Sequence, residues 1–319
     1  MSQFPERVFI KEEGPREGFQ IEGAGVPTAR KIELVDALSQ TGLEHIQIVS
    51  FVHPKLVPGM ADAEEVVAGF TPVEGVSYAG LWLNQKGLER AIASQRLDLQ
   101  GKLTLYASDA FLMKNQNRTR EQQLAAQPDL IRMYREHGIP VRTGFVTAAF
   151  GCNFEGDVAA ERVVEIVGDL LNIAKAEGEN LELVGLGDTM AWATPDRVQR
   201  VVGMVQDAYP DVELSLHLHD TRGMGLANAY AGLQMGVRHF DAAVAGLGGC
   251  PFAAHGGAAG NICTEDFVLM CEEMGIETGV DVERLIECAR LAEDIIGHPL
   301  PGKVKQGGSL QTMRRKLAG

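Results

Sequence analysis

The stretch from Leu214 to Asp220, Leu-Ser-Leu-His-Leu-His-Asp, alternates apolar and polar residues. This alternation predicts a β-strand, because successive side chains along a strand point to opposite faces. His217 and His219 would then lie on one face, close enough together to bind one cation. A polar pair on the surface of a sheet has the same pattern, so the rest of the sequence has to distinguish the two.

Strand-like and helix-like segments alternate along the whole chain around this stretch. Eight segments have the apolar character of buried strands: Arg7–Lys11, His45–Phe51, Val76–Leu83, Lys102–Ala107, Val141–Ala148, Leu181–Leu186, Val212–His219 and His239–Ala245. Helical patterns fill the intervals: Ala29–Thr41, Asp62–Gly69, Leu88–Ser94, Thr119–His137, Ala159–Glu177, Pro195–Ala208 and Gly225–Met235. Eight strand–helix units predict an α/β fold, a (β/α)8 TIM barrel with extra C-terminal helices. An open doubly wound sheet is the alternative, but no glycine-rich dinucleotide loop follows the first strand.

The sequence predicts a single TIM-barrel domain over residues 1–319, without a linker or a low-complexity segment. The barrel is expected over about residues 7–262, C-terminal helices over about 263–300 and a tail over 301–319. Helical patterns in the C-terminal part cover Asp266–Met274 and Val282–Ile296, and the Pro299–Gly302 cluster ends them. We expect the last residues to be mobile.

The composition is that of an ordinary globular protein, with 45% apolar and 23% charged residues. A net charge of −14 and the lack of a long basic run argue against a nucleic-acid partner. No apolar run approaches the roughly 18 residues of a membrane span, and the first residues do not resemble a secretory signal. The five cysteines are scattered and odd in number, which is typical of free thiols. We therefore expect a cytoplasmic protein that does not associate with membranes.

Polar residues cluster at the carboxyl ends of the predicted strands, where TIM-barrel enzymes carry their catalytic groups. The clusters are Glu13–Gln20, Gln47–Lys55, Ser108–Asp109, Gly187–Thr189, His217–His219, Gly246–Pro251 and Gly260–Asn261. Imidazole nitrogen together with carboxylate and amide oxygen suits Mg²⁺, Mn²⁺ or Co²⁺, and zinc stays open.

Each of these groups also has an ordinary structural interpretation. Arg16 and Glu17 can form an ion pair in a turn, and Cys250 can be a small buried apolar residue. The Gly246–Gly249 run can be a plain turn. Their concentration at one predicted rim favours a functional site over these separate explanations.

Six segments resemble the hydroxymethylglutaryl-CoA lyase family of the DRE-TIM metallolyase superfamily. They are Glu13-Gly14-Pro15-Arg16-Glu17-Gly18-Phe19-Gln20, Ser50-Phe51-Val52-His53-Pro54-Lys55, Leu186-Gly187-Asp188-Thr189, His217-Leu218-His219-Asp220-Thr221, Val244-Ala245-Gly246-Leu247-Gly248-Gly249-Cys250-Pro251 and Gly260-Asn261. The resemblance extends from about Val8 to about Ala289. The Gly-Leu-Gly-Gly-Cys-Pro segment is typical of the lyase branch, because the synthases of the superfamily lack that cysteine loop.

The resemblance implies an enzyme that cleaves 3-hydroxy-3-methylglutaryl-CoA to acetyl-CoA and acetoacetate. It also implies a divalent cation, Mg²⁺ or Mn²⁺, as cofactor. The implied ligands are Glu17, His217, His219 and the amide oxygen of Asn261. A cation on the substrate's tertiary hydroxyl and the neighbouring carboxylate would lower the pKa of that hydroxyl.

The same resemblance implies four catalytic residues. Asp188 would lie near the reacting hydroxyl, and Arg16 would face the thioester oxygen, where a fixed cation stabilises the enolate that forms. Cys250 would lie on a glycine loop that closes over the substrate. Either this thiol or the imidazole of His217 would return a proton to the carbanion.

An acyl-CoA partner follows from the resemblance as well. The candidate residues for contacting it are Gln20, Gln47, Ser50, Lys114, Asn115 and Thr189. Lys114 can meet a phosphate of coenzyme A, although an ordinary exposed lysine is the simpler interpretation. By analogy with the family we expect a homodimer.

The sequence departs from the family pattern at three places. Glu17 stands where the family has aspartate, and Gln47 stands where it usually has glutamate. We interpret these two changes as coupled, because the longer carboxylate can use the space or charge vacated at position 47. The loop from Cys250 to Asn261 is also about two residues longer than the family pattern and carries His255.

These departures lie at the mouth of the predicted barrel, so they leave several reactions open. The acyl group can differ, with citramalyl-CoA or a longer 3-hydroxyacyl-CoA as substrate. A condensing enzyme that joins acetyl-CoA to a 2-oxo acid is the alternative from another class, and Cys250 argues against it. A barrel with a decayed site, kept as a binding protein, is supported only by Glu17 and Gln47.

Overall fold

The structure of the protein, a computed structural model, describes residues 4–22, 25–249 and 260–318. These residues divide into two compact units. The terminal unit contains residues 6–22, 25–99, 241–249 and 260–318, and the central unit contains residues 4–5 and 100–240. No helix in the described ranges is both long enough and apolar enough to cross a membrane.

All eight predicted strands are present, with ends that shift by a few residues. They are β1 (Phe9–Glu12), β2 (His45–Ser50), β3 (Ser77–Leu81), β4 (Gly101–Tyr106), β5 (Val141–Thr147), β6 (Leu183–Asp188), β7 (Glu213–Leu218) and β8 (His239–Ala242). Within the terminal unit β1, β2 and β3 are parallel neighbours in chain order. Within the central unit the same holds for β4 to β7. The division between the units falls inside β8.

Helices follow every strand. They are α1 (Gly14–Glu22), α2 (Thr28–Leu38), α3 (Ala63–Gly69), α4 (Gln85–Ser94), α5 (Asp109–Gln116), α6 (Arg120–Glu136), α7 (Ala160–Ala176), α8 (Pro195–Ala208), α9 (Gly225–Gln234), α10 (Thr264–Glu273), α11 (Val282–Ile296), α12 (Val304–Gly307) and α13 (Leu310–Ala318). This alternation is the (β/α)8 TIM-barrel fold that the sequence predicts, with α11, α12 and α13 as the extra C-terminal helices.

Side-chain caps explain where several helices begin and end. At the start of α6, Thr119 and Gln122 form a capping box, because each side chain accepts from the other residue's backbone N–H. At the start of α11, the carboxylate of Asp281 accepts from two backbone N–H groups. The same helix ends at Gly297, whose φ of 80° is favourable for glycine.

Two helices form where the sequence predicts only loops. The Glu13–Gln20 motif lies mostly in α1, because the Glu12 side chain accepts from the N–H of Gly14 (2.7 Å) and satisfies the start of the helix. In the same way Ser108 accepts from the N–H of Phe111 (3.0 Å) and caps α5.

The C-terminal tail, where the sequence predicts no helix, contains two helices. The carboxylate of Asp266 accepts from the backbone N–H groups of Lys303 and Val304, at the start of α12. The hydroxyls of Ser309 and Thr312 both donate to Glu283 on α11. These contacts hold α12 and α13 in helical form.

Candidate functional site

Two histidines at the end of β7 form a pair in the central unit. Their Nε2 atoms lie 3.1 Å apart, and both side chains are buried. The opposite face of the strand carries three buried leucines, Leu214, Leu216 and Leu218. The alternation of His217 and His219 with leucine therefore brings the imidazoles together, as the sequence predicts. Two ring nitrogens at this distance can share a hydrogen bond or bind one cation.

Asp188 ends the neighbouring strand β6 and is buried. Its Oδ1 accepts from the N–H groups of Trp192 (2.7 Å) and Ala193 (3.0 Å). Its Oδ2 is also buried and has no hydrogen-bond partner in the described part of the chain. Burial raises the pKa of Asp188 to about 7, although the two backbone hydrogen bonds lower it. A carboxyl group with this pKa can take up and release a proton near neutral pH.

The pairing of β6 with β7 puts these groups on adjacent strands. Gly187 lies opposite His217, and Asp188 lies opposite Leu218. The candidate residues of the central unit therefore meet at the carboxyl ends of two neighbouring strands.

Arg16 lies in α1 of the terminal unit, surrounded by acceptors. It donates from Nη2 to Glu13 (2.6 Å), from Nη1 to Glu17 (2.8 Å) and from Nε to the amide oxygen of Gln47. Burial lowers the pKa of the guanidinium, but the carboxylates of Glu17 and Glu13 outweigh this and raise the pKa above its ordinary value. The Arg16–Glu17 ion pair that we consider as a turn contact is thus present, but it is buried and belongs to a helix.

Glu17 also contacts Asn261. The Nδ2 of Asn261 donates to Oε2 of Glu17 at 2.7 Å. Asn261 is completely buried, and its Oδ1 has no hydrogen-bond partner among the residues that the structure describes. A buried amide oxygen without a partner is costly. Together with the carboxylate it forms a pair of hard oxygen donors, which fits a cation such as Mg²⁺ or Mn²⁺.

The glycine run after β8 approaches Glu17 directly at Gly248. Gly248 has a φ of 99°, and a Cβ built on it would lie 2.7 Å from Cβ of Glu17 and 3.1 Å from its Oε2. Glycine is therefore needed here for both the backbone angle and the close approach. Cys250 and His255 lie outside the described residues.

Two buried glutamates outside the sequence motifs support this region. Glu12 accepts from the N–H of Gly14, the N–H of Val244 (2.8 Å) and the hydroxyl of Thr264 (2.5 Å). It thereby connects the start of α1, the turn after β8 and the start of α10. Burial raises the pKa of Glu12 to about 7 and that of Glu265 to about 8. A charged residue at the end of a buried strand is the signal that identifies Glu12.

Three of the predicted substrate contacts bind other candidate residues within the terminal unit. The hydroxyl of Ser50 donates to the side-chain oxygen of Gln20 at 3.0 Å. Gln47 accepts from Arg16. These side chains belong to the polar group around α1, and their contact with a substrate stays a prediction.

The other three predicted substrate contacts lie in the central unit. The hydroxyl of Thr189 accepts from the N–H of Ala148 at 3.0 Å. The Lys114 ammonium lies 4.8 Å from the ring centroid of Phe154. The side-chain amide of Asn115 donates to the hydroxyl of Tyr106 at 2.8 Å. Each has a structural partner, so a role in binding coenzyme A stays a prediction for these residues as well.

Comparisons with known proteins identify close relatives of this chain. Residues 7–292 match the HMGL-like family model. The mitochondrial hydroxymethylglutaryl-CoA lyase of Gallus gallus is 40% identical over 303 residues, which cover 95% of this chain and 98% of the relative. The crystal structure of a Bacillus subtilis HMG-CoA lyase has 36% identity and a TM-score of 0.86, covering 98% of this chain and 99% of that chain.

A second solved structure is similar and contains ligands. It is an HMG-CoA lyase from Acinetobacter baumannii in complex with coenzyme A and 3-methylmalate. It is 38% identical to this chain, with a TM-score of 0.85, and the match covers 97% of this chain and 98% of the other.

Proposed function

The chain belongs to the HMGL-like family, and on that basis we propose that it is a divalent-metal-dependent carbon–carbon lyase. It cleaves 3-hydroxy-3-methylglutaryl-CoA, or a close relative of this thioester, to acetyl-CoA and an oxo acid. The observation that carries this proposal at the level of the site is the buried Asn261–Glu17 pair, with its unsatisfied amide oxygen. Such an oxygen next to a carboxylate is suited to a hard cation.

We assign Glu17, His217, His219 and Asn261 as the residues that would hold Mg²⁺ or Mn²⁺. The donor chemistry supports this assignment, because a carboxylate and an amide oxygen are the hard donors that both ions prefer, and imidazole nitrogens also bind Mn²⁺. When bound, a divalent cation acts as a Lewis acid that makes the tertiary hydroxyl of the substrate more acidic.

Asp188 takes the proton of that hydroxyl. Its Oδ2 is buried without a partner in the described chain, and its pKa of about 7 suits proton uptake at neutral pH. Loss of the proton leaves an alkoxide, whose oxygen electron pair forms the C=O bond of the oxo acid as the adjacent carbon–carbon bond breaks. The electron pair of the broken bond moves onto the thioester fragment as an enolate.

Arg16 stabilises the oxygen of that enolate. Arg16 stays protonated because the adjacent carboxylates raise its pKa. Three different acceptors fix the plane of its guanidinium. A fixed cation at a developing negative charge contributes without reorganising. Protonation of the enolate carbon, by Cys250 or His217, completes acetyl-CoA.

The identity of the acyl group is the part of the proposal that depends on the departures from the family pattern. Glu17 and Gln47 both contact Arg16, so they change the immediate surroundings of the thioester end of the site. We therefore propose 3-hydroxy-3-methylglutaryl-CoA first, and citramalyl-CoA and longer 3-hydroxyacyl-CoA thioesters as the next substrates.

The direct test is release of acetyl-CoA by the purified protein with Mg²⁺ or Mn²⁺, for each of these thioesters. We expect turnover of at least one, loss of turnover in EDTA and recovery when metal is added back. Absence of acetyl-CoA from every thioester would contradict the proposal. Release of free coenzyme A from acetyl-CoA and a 2-oxo acid would instead identify a condensing enzyme.

Metal binding provides a second, independent measurement. Asn261→Ala should weaken Mn²⁺ binding by about 10–100-fold, because it removes one ligand and the partner of Glu17. The control is His239→Asn, a substitution at the first residue of β8, where the imidazole pairs with Glu213. Equal Mn²⁺ affinity in wild type and Asn261→Ala would remove Asn261 from the site.

Localisation and assembly are proposed on separate grounds. The four cysteines of the described residues, Cys152, Cys263, Cys271 and Cys288, are buried thiols outside any disulfide, which supports a reducing compartment such as the cytoplasm. We propose a homodimer by analogy with the family. Sedimentation of the purified protein tests this, with a mass of twice 34.4 kDa as the expected result.

A further inference from the structure

The turn that follows Asp188 contains a strained residue. Ala191 has a φ of 56°, in the left-handed region that residues with a Cβ disfavour. The next two N–H groups, of Trp192 and Ala193, are the ones that bind Oδ1 of Asp188. The unusual backbone angle therefore belongs to the segment that orients the Asp188 carboxylate, and something has to maintain it.

Arg222 contacts this turn from the segment after β7. Its Nη1 donates to the carbonyl oxygens of Met190 and Ala191, both at 2.8 Å. Two carbonyl dipoles that converge on one point repel each other, and a cationic donor between them removes that repulsion. The guanidinium carbon also lies 6.0 Å from the ring centroid of Trp192.

The other side of the turn is fixed by the segment after β5. The indole N–H of Trp192 donates to Oδ1 of Asn153 at 2.7 Å. A Cβ built on Gly151 would lie 2.6 Å from Cβ of Trp192, so the indole packs directly on this glycine. With Asn153 on one side and Arg222 on the other, the turn has few conformations available.

We propose that Arg222 is a positioning residue for Asp188. By holding the carbonyls of Met190 and Ala191, it keeps the following N–H groups on Oδ1 and thereby leaves Oδ2 available to the substrate hydroxyl. This inference rests on the proposed function, because it assigns Arg222 to the proton-transfer step of that reaction. Arg222 itself does not touch the reacting atoms.

The test is a double-mutant cycle of Arg222→Met with Ala191→Gly. Arg222→Met should lower kcat about tenfold with little change in KM, because the carboxylate is misoriented while substrate contacts remain. Glycine adopts a positive φ without assistance. In the Ala191→Gly background the same Arg222→Met change should therefore lower kcat less than about threefold. Arg222→Lys should restore part of the activity, since an ammonium can also donate to carbonyls.

The control is Arg135→Met, which removes an arginine that donates to the carbonyl of Glu177 and pairs with Glu179 in the same unit. Its kcat should equal that of wild type. A tenfold loss for Arg222→Met in both backgrounds, a loss confined to KM, or no loss at all would each overturn the positioning role.

Failure of the proposed function is distinguishable from failure of this inference. If wild type cleaves none of the thioesters, the same four proteins are compared by thermal unfolding. A smaller drop in Tm for Arg222→Met in the Ala191→Gly background would then support the inference that Arg222 stabilises the strained turn at Ala191. An equal drop in both backgrounds would overturn it.

Discussion

Glu17 has one methylene more than aspartate, and its contacts use that length. The carboxylate reaches Nη1 of Arg16 with one oxygen (2.8 Å) and Nδ2 of Asn261 with the other (2.7 Å). Gln47 accepts a hydrogen bond from Nε of the same guanidinium through a neutral amide oxygen. The positive charge of Arg16 is therefore paired with the carboxylates of Glu13 and Glu17. The contacts are consistent with our interpretation that positions 17 and 47 changed together.

This coupling leads to a prediction at the residue scale. Glu17→Asp should weaken Mn²⁺ binding about tenfold, because the shorter side chain cannot keep both contacts. Adding Gln47→Glu should recover part of the affinity by returning a carboxylate to the guanidinium. Mn²⁺ titration followed by electron paramagnetic resonance measures both. Glu22→Asp, the same shortening at the far end of α1, is the control, and a double variant no better than Glu17→Asp would refute the coupling.

Glu265 leads to a prediction about pH and stability. Burial raises its pKa to about 8, above the ordinary value of 4.5, so the folded protein favours the neutral carboxyl. The contribution of Glu265 to the free energy of unfolding is fully present below about pH 4.5 and is lost as the pH rises through about 8. Glu265→Gln should therefore raise Tm at pH 8 relative to wild type and flatten the dependence of Tm on pH between 5 and 8. Parallel Tm curves for the two proteins would contradict this.

At the scale of elements, we predict that Gly248, in the glycine run after β8, determines the position of the Glu17 side chain. Gly248→Ala should weaken Mn²⁺ binding and lower kcat, because the new Cβ would displace Glu17. Gly275→Ala is the matched control, with a φ of 75° and open space around the position of a Cβ. Both variants carry the strain of a positive φ, on the order of 1 kcal/mol, but only Gly248→Ala places a Cβ against Glu17. Equal metal affinities for the two variants would rule out this contact.

Strands were predictable from the sequence because their signal is local. Apolar runs mark all eight, and alternation in β7 is enough to place His217 beside His219. α1 was not predictable, because its N-terminus is satisfied by Glu12, a side chain of the preceding strand, and Gly14-Pro15 is typical of a turn. The two helices of the tail were not predictable either, because they are held by contacts with Asp266 and Glu283, which are distant in sequence.

The residues of the candidate site also differ in whether they have a local sequence signal or depend on distant contacts. Motif residues such as Arg16, Glu17 and Asn261 could be selected from the sequence, because their types are those of metal and oxyanion chemistry. Arg222 could not, since its importance comes from carbonyl groups of a distant segment that it contacts, and Glu12 is marked only as a charged residue at the end of a buried strand. Sequence patterns therefore select candidate chemical groups better than they select the residues that hold those groups in place.

At the scale of the molecule, we predict that the chain unfolds as one domain. The terminal unit is discontinuous in sequence, and the family model runs through both units without a break. Calorimetry of the metal-free protein should therefore give one transition, with equal calorimetric and van't Hoff enthalpies. Two resolved transitions would mean that the two units fold separately and that the single-domain prediction is wrong.

The buried thiols have a practical consequence for the chemistry of the fifth cysteine. Burial raises the pKa of Cys271 and Cys288 to about 12, and Cys152 and Cys263 are shielded by the surrounding chain. The thiolate is the form that reacts with an alkylating reagent, so these four sulfurs form a slow background in the native state. Rapid maleimide labelling of the native enzyme would thus report on Cys250 alone, without any engineering of the other four positions.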